Sequence, residues 1–274
     1  MNIHKPETAI SLAGIATGLL LVYIILLGRV GLSSGRKNAA VWDLPANKIE
    51  KIVIANGDEE LVFDLSENAG WGLRSPADIP FSREIANALP LTLSSLTAEK
   101  EISSNLNSLQ EYGLDKPITI DVVLRNRKEY RLLLGGESSS GTSRYFSVNG
   151  KIYTMSAIAA DAIALDSINV RDRNILRFNR TLRPSYIAAR IANIRVNGAN
   201  YPELADALSL LNAASFIRDV NFPVVYTIEF DYDGEPRVLY IGEHTAEYYR
   251  AKTPENDAAF TISKRGLENI ASLK

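Results

Sequence analysis

From residue 49 onward, apolar and polar side chains mostly alternate along the chain. Thr227-Ile228-Glu229-Phe230-Asp231-Tyr232 makes every second position apolar or aromatic, the period of a half-buried strand. The same reading predicts strands over residues 49–55, 60–65, 71–74, 118–125, 130–134, 144–148 and 152–155. Five more are predicted over 191–196, 224–232, 237–241, 248–251 and 259–262. Asn56-Gly57, Asn149-Gly150, Asn197-Gly198 and Asp233-Gly234 adjoin these runs. Such pairs accept positive φ at low cost and close tight hairpins. Helical spacing is rarer. Ser82 caps a predicted helix running to about Leu96, with Ile85, Leu89, Leu93 and Leu96 on one face and Pro90 kinking or interrupting it. Ser156 caps a second over 157–165. Residues 202–212 carry Leu204, Leu208 and Leu211 at helical spacing, and Ser263 caps a last helix with Leu267 and Ile270.

Near the start the pattern changes. Residues 9–27, AISLAGIATGLLLVYIILL, carry no charge. A helix over this stretch spans roughly 28 Å at about 1.5 Å per residue, close to the hydrocarbon thickness of a bilayer. The run is longer than the apolar core of a cleaved signal peptide, and no small-residue cleavage site follows closely, so it predicts an uncleaved signal anchor. Arg29, Arg36 and Lys37 follow it, against Lys5 and the α-amino group before it. That count favours the large domain inside by a small margin and leaves topology open.

Two stretches of the remaining chain resemble each other. Pro117-Ile118-Thr119-Ile120 and Arg131-Leu132-Leu133-Leu134-Gly135-Gly136-Glu137 are echoed 106 residues later. The echoes are Pro223-Val224-Val225-Tyr226 and Arg237-Val238-Leu239-Tyr240-Ile241-Gly242-Glu243. Tyr153-Thr154 is echoed by Phe260-Thr261, and the run from Ile49 to Asn56-Gly57 by that from Ile191 to Asn197-Gly198. Four blocks in the same order predict a duplication. The expected organisation is a transmembrane helix over 1–28, a tether over 29–45, a first repeat unit over 46–178 and a second, shorter one over 179–274. The expected fold class is α+β: an N-terminal transmembrane helix followed by two duplicated α+β units rich in antiparallel hairpins.

Composition narrows the chemistry. Thirty basic against 32 acidic residues give a net charge of −2, with no basic excess to neutralise phosphates, so nucleic acid is not the expected partner. The absence of cysteine excludes disulfides, thiolate metal sites and a cysteine nucleophile. The segment from Gly135 to Thr142 has the glycines of a phosphate-binding loop but not its lysine. Glu229, Asp231, Asp233 and Gly234 begin like a calcium loop, yet the closing position is Tyr240. Both read as hairpin loops. His244 is the sole histidine after the apolar stretch, and no nucleophile elbow surrounds any serine. No catalytic, cofactor or metal residues are therefore assigned. Tyr248 and Tyr249, with Tyr145 and His244, are the candidate surface for a partner or for stacking on a sugar.

Trp71 and Pro76, then Tyr112-Gly113-Leu114-Asp115-Lys116-Pro117, then Gly135, Arg144-Tyr145 and Tyr153, then Arg171-Asp172-Arg173 with Phe178, carry a family resemblance. The chain resembles a bacterial membrane-anchored family catalogued as domain of unknown function 4340, over roughly residues 45–270. The resemblance implies an anchored, extracytoplasmic protein of the cytoplasmic membrane, associated with ABC-type transporters of the gliding-motility auxiliary kind. It brings no catalytic residues. The expected role is a non-catalytic accessory or scaffold subunit of an export or envelope complex, attached through residues 9–27. An envelope glycan- or lipid-binding module is the second expectation, and an envelope hydrolase using carboxylates or His244 the third.

Overall fold

A computed structural model describes residues 39–263, apart from 104–105, 179–180, 246, 255 and 257. Among the described residues no helix is long and apolar enough to cross a membrane. The predicted span over 9–27 and the predicted last helix after Ser263 lie outside them. The described chain divides into two compact units. Of the described residues, the first draws on 39–78 and 83–166, the second on 79–82 and 167–263. The short insert Ile79–Ser82 belongs to the second unit because it pairs there: Phe81 bridges Arg171, Ser82 N–H donates to the Val170 carbonyl, and Asp172 N–H to that of Pro80.

Unit 1 is built on one antiparallel sheet. Its strands are β2 (Ile49–Asn56), β3 (Glu59–Ser66), β4 (Gly70–Ser75), β6 (Lys100–Ser103), β7 (Ile118–Leu124), β8 (Glu129–Glu137), β9 (Ser143–Val148) and β10 (Lys151–Ser156). They lie in the order β4-β3-β2-β7-β8-β9-β10-β6. A two-stranded ribbon joins β1 (Ala39–Ala40) to β5 (Thr97–Ala98). Residues 39–45, predicted as tether, are thus part of unit 1, and Trp42 and Leu44 are buried. Unit 2 carries β11 (Ile191–Val196), β12 (Ala199–Asn200), β13 (Ser215–Ile217), β14 (Val224–Tyr232), β15 (Glu235–His244), β16 (Tyr248–Lys252) and β17 (Ala259–Ser263). Their order is β12-β11-β14-β15-β16-β17-β13.

The α+β expectation is therefore corrected: both units are predominantly antiparallel β. Among the described residues only α1 (Arg83–Ser94) reaches 12 residues; it continues through Pro90 and buries Ala86, Leu89 and Leu93. The helices α2 (Ala157–Asp161), α3 (Pro184–Ala188) and α4 (Ala205–Ser209) have five residues each. Ser156 caps α2 as predicted, its Oγ accepting from Ala159 N–H at 3.2 Å. The apolar positions at helical spacing over 202–212 fill the core through a 3₁₀ turn at Pro202–Leu204 and one turn of α4, not through one long helix. Burial of Leu204, Leu208 and Leu211 needs only that short arc.

The two sheets repeat one strand order, and they repeat its irregularities. The β2–β7 pairing slips between Ile49 and Lys51, and the β11–β14 pairing slips between Ala192 and Arg195. The β8–β9 pairing slips between Leu134 and Glu137, and the β15–β16 pairing between Ile241 and His244. These bulges fix the equivalences. Ile52 answers to Ile194, Val122 to Phe230, Leu134 to Ile241 and Gly135 to Gly242. The alignment by sequence, which sets Gly136 against Gly242, is displaced by one residue on β8 and by two on β7. The two displacements differ because the β7–β8 turn is longer by one residue: seven residues lie between Val122 and its partner Tyr130, six between Phe230 and Arg237. Side chains alternate across a strand, so the displacement on β8 would turn its core face outward.

Each unit has its own core. Ile52, Ile54, Phe63, Ile120, Leu132 and Phe146 are fully buried in unit 1. In unit 2, Phe230 packs with Phe178, Ile194, Leu208, Leu239 and Phe260. Burying one such side chain contributes about 1.5–3 kcal/mol. Phe230 is 2% exposed, so Phe230→Ala is expected to cost about 3–5 kcal/mol in urea unfolding. Glu229→Ala, one residue away on the exposed side of the same strand, should cost less than about 0.5 kcal/mol.

Candidate functional site

Most motif residues of unit 1 meet at one place, where a 3₁₀ turn at Leu106–Tyr112 runs into β7. The turn ends at Gly113, whose φ of +63° is in the left-handed region. A Cβ at Gly113 would lie 2.6 Å from the Gly136 nitrogen, and a Cβ at Gly135 would overlap the Tyr112 carbonyl oxygen. Two backbones touch here with no side chain between them, on the bulge of β8. Leu114 is buried. Tyr112 sets its ring edge-on to Tyr145, centroids 5.0 Å apart. Arg144 closes the arrangement, its Nη2 and Nε donating to the Gly135 carbonyl at 2.7 and 3.2 Å. Gly242 holds the equivalent place in unit 2, where a Cβ would overlap the Phe222 ring. Asp115 is exposed beside this cluster, and Pro117 starts the approach to β7. Trp71 and Pro76 stand elsewhere, on and just after β4, and do not join it.

The residues Arg171, Asp172 and Arg173 organise unit 2. Arg171 is 4% exposed, donates from Nε to the Ser167 carbonyl at 2.8 Å, and lies 5.8 Å over the Phe216 ring. Asp172 accepts from Asn174 N–H at 2.9 Å, and the Arg173 carbonyl accepts from Ala213 N–H at 3.0 Å. Arg173's side chain is exposed. Asn174 then ties Phe178 through two hydrogen bonds. A buried guanidinium held by a carbonyl and an aromatic face is a packing device here.

The aromatic surface predicted on β16 does not form. Successive strand residues point to opposite faces, so Tyr248 is exposed while Tyr249 is 6% exposed and in the core. Tyr145 is half-buried against Tyr112. His244 pairs with Tyr249 through the backbone at the β15 bulge. Burial, then the neighbouring Tyr226, pushes the Tyr249 hydroxyl above its ordinary value of 10. Among the described residues no three His, Asp or Glu side chains converge to hold a metal ion.

A different place in unit 1, unmarked by any motif, is concave. A cleft of about 440 Å³ opens between the β7–β8 and β9–β10 turns, lined by Trp42, Lys128, Tyr130, Arg131, Leu133 and Ser147 among others. Trp42 is fixed by its indole N–H, which donates to the Leu93 carbonyl at 2.8 Å, and its ring meets Tyr130 edge-on at 5.9 Å. The Tyr130 hydroxyl donates to the Asp43 carbonyl at 3.1 Å. The Lys128 ammonium sits 4.7 Å from the Tyr130 ring centre. Tyr130, through hydrogen bonding and then charge, holds Lys128 above the usual lysine value, so it is cationic at neutral pH. Arg131 is occupied by a bidentate pair with Asp121, at 2.6 and 2.8 Å. No short-range sequence signal marks this site. Trp42 lies some 86 residues from Lys128 and meets the hairpin only in the fold.

Gly135→Ala is expected to lower stability by about 2 kcal/mol or more, because backbone faces the added methyl. Gly141→Ala, at φ +69° with open space around it, should cost about 1 kcal/mol; urea midpoints of the two variants check this. Tyr249 has a folded-state pKa above its unfolded value, so its contribution is complete below the unfolded value and is lost as pH rises through the folded one. Tyr249→Phe should therefore lose less stability than the parent when unfolding is followed from neutral pH to above pH 10.

No curated protein and no solved structure matches the chain. One family model does, over the stretch that begins at β4 and contains every motif residue discussed above, so the resemblance drawn from those motifs is borne out at the level of the domain. Residues 71–182 match the family described as Domain of unknown function (DUF4340).

Proposed function

We propose that the protein is a membrane-anchored accessory or scaffold subunit. In this reading residues 9–27 attach it to the bacterial cytoplasmic membrane, and the two β units lie on the extracytoplasmic side against an ABC-type export or envelope complex. One observation carries the reading. Several motif residues of the matched stretch are engaged in internal packing: Gly113 against Gly136, Tyr112 on Tyr145, Arg144 on the Gly135 carbonyl and Arg171 on the Ser167 carbonyl. What such residues maintain is a shaped, rigid platform, and a platform acts by what docks on it. Exposed apolar side chains, among them Tyr186, Val224 and Val225 on unit 2, supply contact area for a protein partner.

The test is capture from its native membrane. The full chain, tagged and crosslinked in cells, should remain in the membrane pellet after carbonate washing and bring down ABC-type permease or ATPase subunits from mild detergent. Removal of residues 1–28 should release it from the pellet. Recovery of the crosslinked full chain by itself would overturn the scaffold reading.

A further inference from the structure

We propose that the cleft between the β7–β8 and β9–β10 turns of unit 1 binds a small anionic sugar, a single ring bearing a carboxylate or a phosphate. The proposal is independent of the scaffold reading.

The repeated strand order supplies the first argument, because unit 2 shows the same position closed. In unit 2, Arg237 stands where Tyr130 stands, Val238 answers to Arg131, and Thr253 follows the strand position equivalent to Ser147. Those residues, with Ile175, Leu176 and Arg177, enclose only about 10 Å³, room for about one water. Ile175 and Leu176 are buried and fill the space. The fold can therefore close this end of the sheet, and in unit 1 it is open to about 440 Å³. That volume lies in the range of small-molecule sites, roughly 300–1,000 Å³.

The walls define the ligand. Trp42 and Tyr130 are held rigidly, each by a hydrogen bond to a backbone carbonyl, and with Leu133 they present aromatic and apolar surface to one ring. Arg131 is paired with Asp121 and also interacts with Glu129, a carboxylate on the same lining, so Lys128 supplies the cation able to meet an anion. Ser147 lines the cleft, where its hydroxyl can donate to or accept from a ligand. Asn149 and Gly150 complete the rim. Flat apolar walls, the Lys128 cation and one hydroxyl suit a ring with polar edges and a single negative charge better than a purely apolar ligand.

The experiment uses the protein's two tryptophans. Trp71→Phe in the full chain leaves Trp42 as the sole indole reporter, inside the cleft. Glucuronate, glucose 1-phosphate and glucose are titrated to about 10 mM, which covers the millimolar affinities of single small sites. A saturable change in Trp42 emission with glucuronate or glucose 1-phosphate, but not with glucose, is the expected result, and the stronger of the two identifies the anionic group. Lys128→Ala, at an exposed turn position, should weaken that binding about tenfold or more, as loss of a charged hydrogen bond does. Ser147→Ala should weaken it about threefold to tenfold. An equal response to glucose, no saturation with either anion, or binding unchanged by Lys128→Ala overturns the proposal.

Discussion

Where the turn ending at Gly113 meets the bulge at Gly135-Gly136, backbone lies directly on backbone. No side chain fits between them, and the consequences spread through unit 1. The contact fixes where the chain enters β7, and β7 is the hinge of the sheet, pairing with β2 on one side and β8 on the other. It also fixes the bulge in β8, which offsets β9 and so sets the course of the β9–β10 hairpin. Arg144, on the adjacent strand β9, ties the Gly135 carbonyl. That unit 2 puts Gly242 at the same bulge, against Phe222, argues that close approach at this point belongs to the architecture and not to one copy of it.

The repeated strand order explains why so much of the molecule reads as structure. Two sheets with the same strand order and the same bulges need the same turns, the same glycine and the same core alternation, and these account for most of what the two halves share. What differs is at the ends. Unit 1 adds β4, a twelve-residue helix and the segment carrying Trp42, while unit 2 inserts Ile175 and Leu176 into the corresponding space. One copy is sealed and the other open. A duplicated scaffold can diverge in this way because the sheet is stabilised by its own pairing and core, leaving the ends of its hairpins free to change.

Much of this was legible in the residues. Asn149-Gly150, Asn197-Gly198 and Asp233-Gly234 close hairpins with positive φ at both positions, a conformation few other pairs adopt readily. Alternation identified the strands on either side, because a sheet with one buried face imposes a period of two. Ser156 was recognisable as a cap from its place before an apolar run. Other readings failed for physical reasons. The helices predicted over 157–165 and 202–212 form only short turns, since a short arc is enough to bury their apolar residues. Pairing Tyr248 with Tyr249 as one surface ignored that neighbours on a strand face opposite ways.

The local chemistry of side chains and turns thus determined the strands, the hairpins and the fact of repetition, all of which depend on residues close together in the chain. The exact register of the repeat, the membership of Ile79–Ser82 in the second unit, the burial of Arg171 and the cleft beneath Trp42 were decided by tertiary structure. Each depends on distant segments meeting, and on bulges and turn lengths that shift a strand without leaving a mark in its composition.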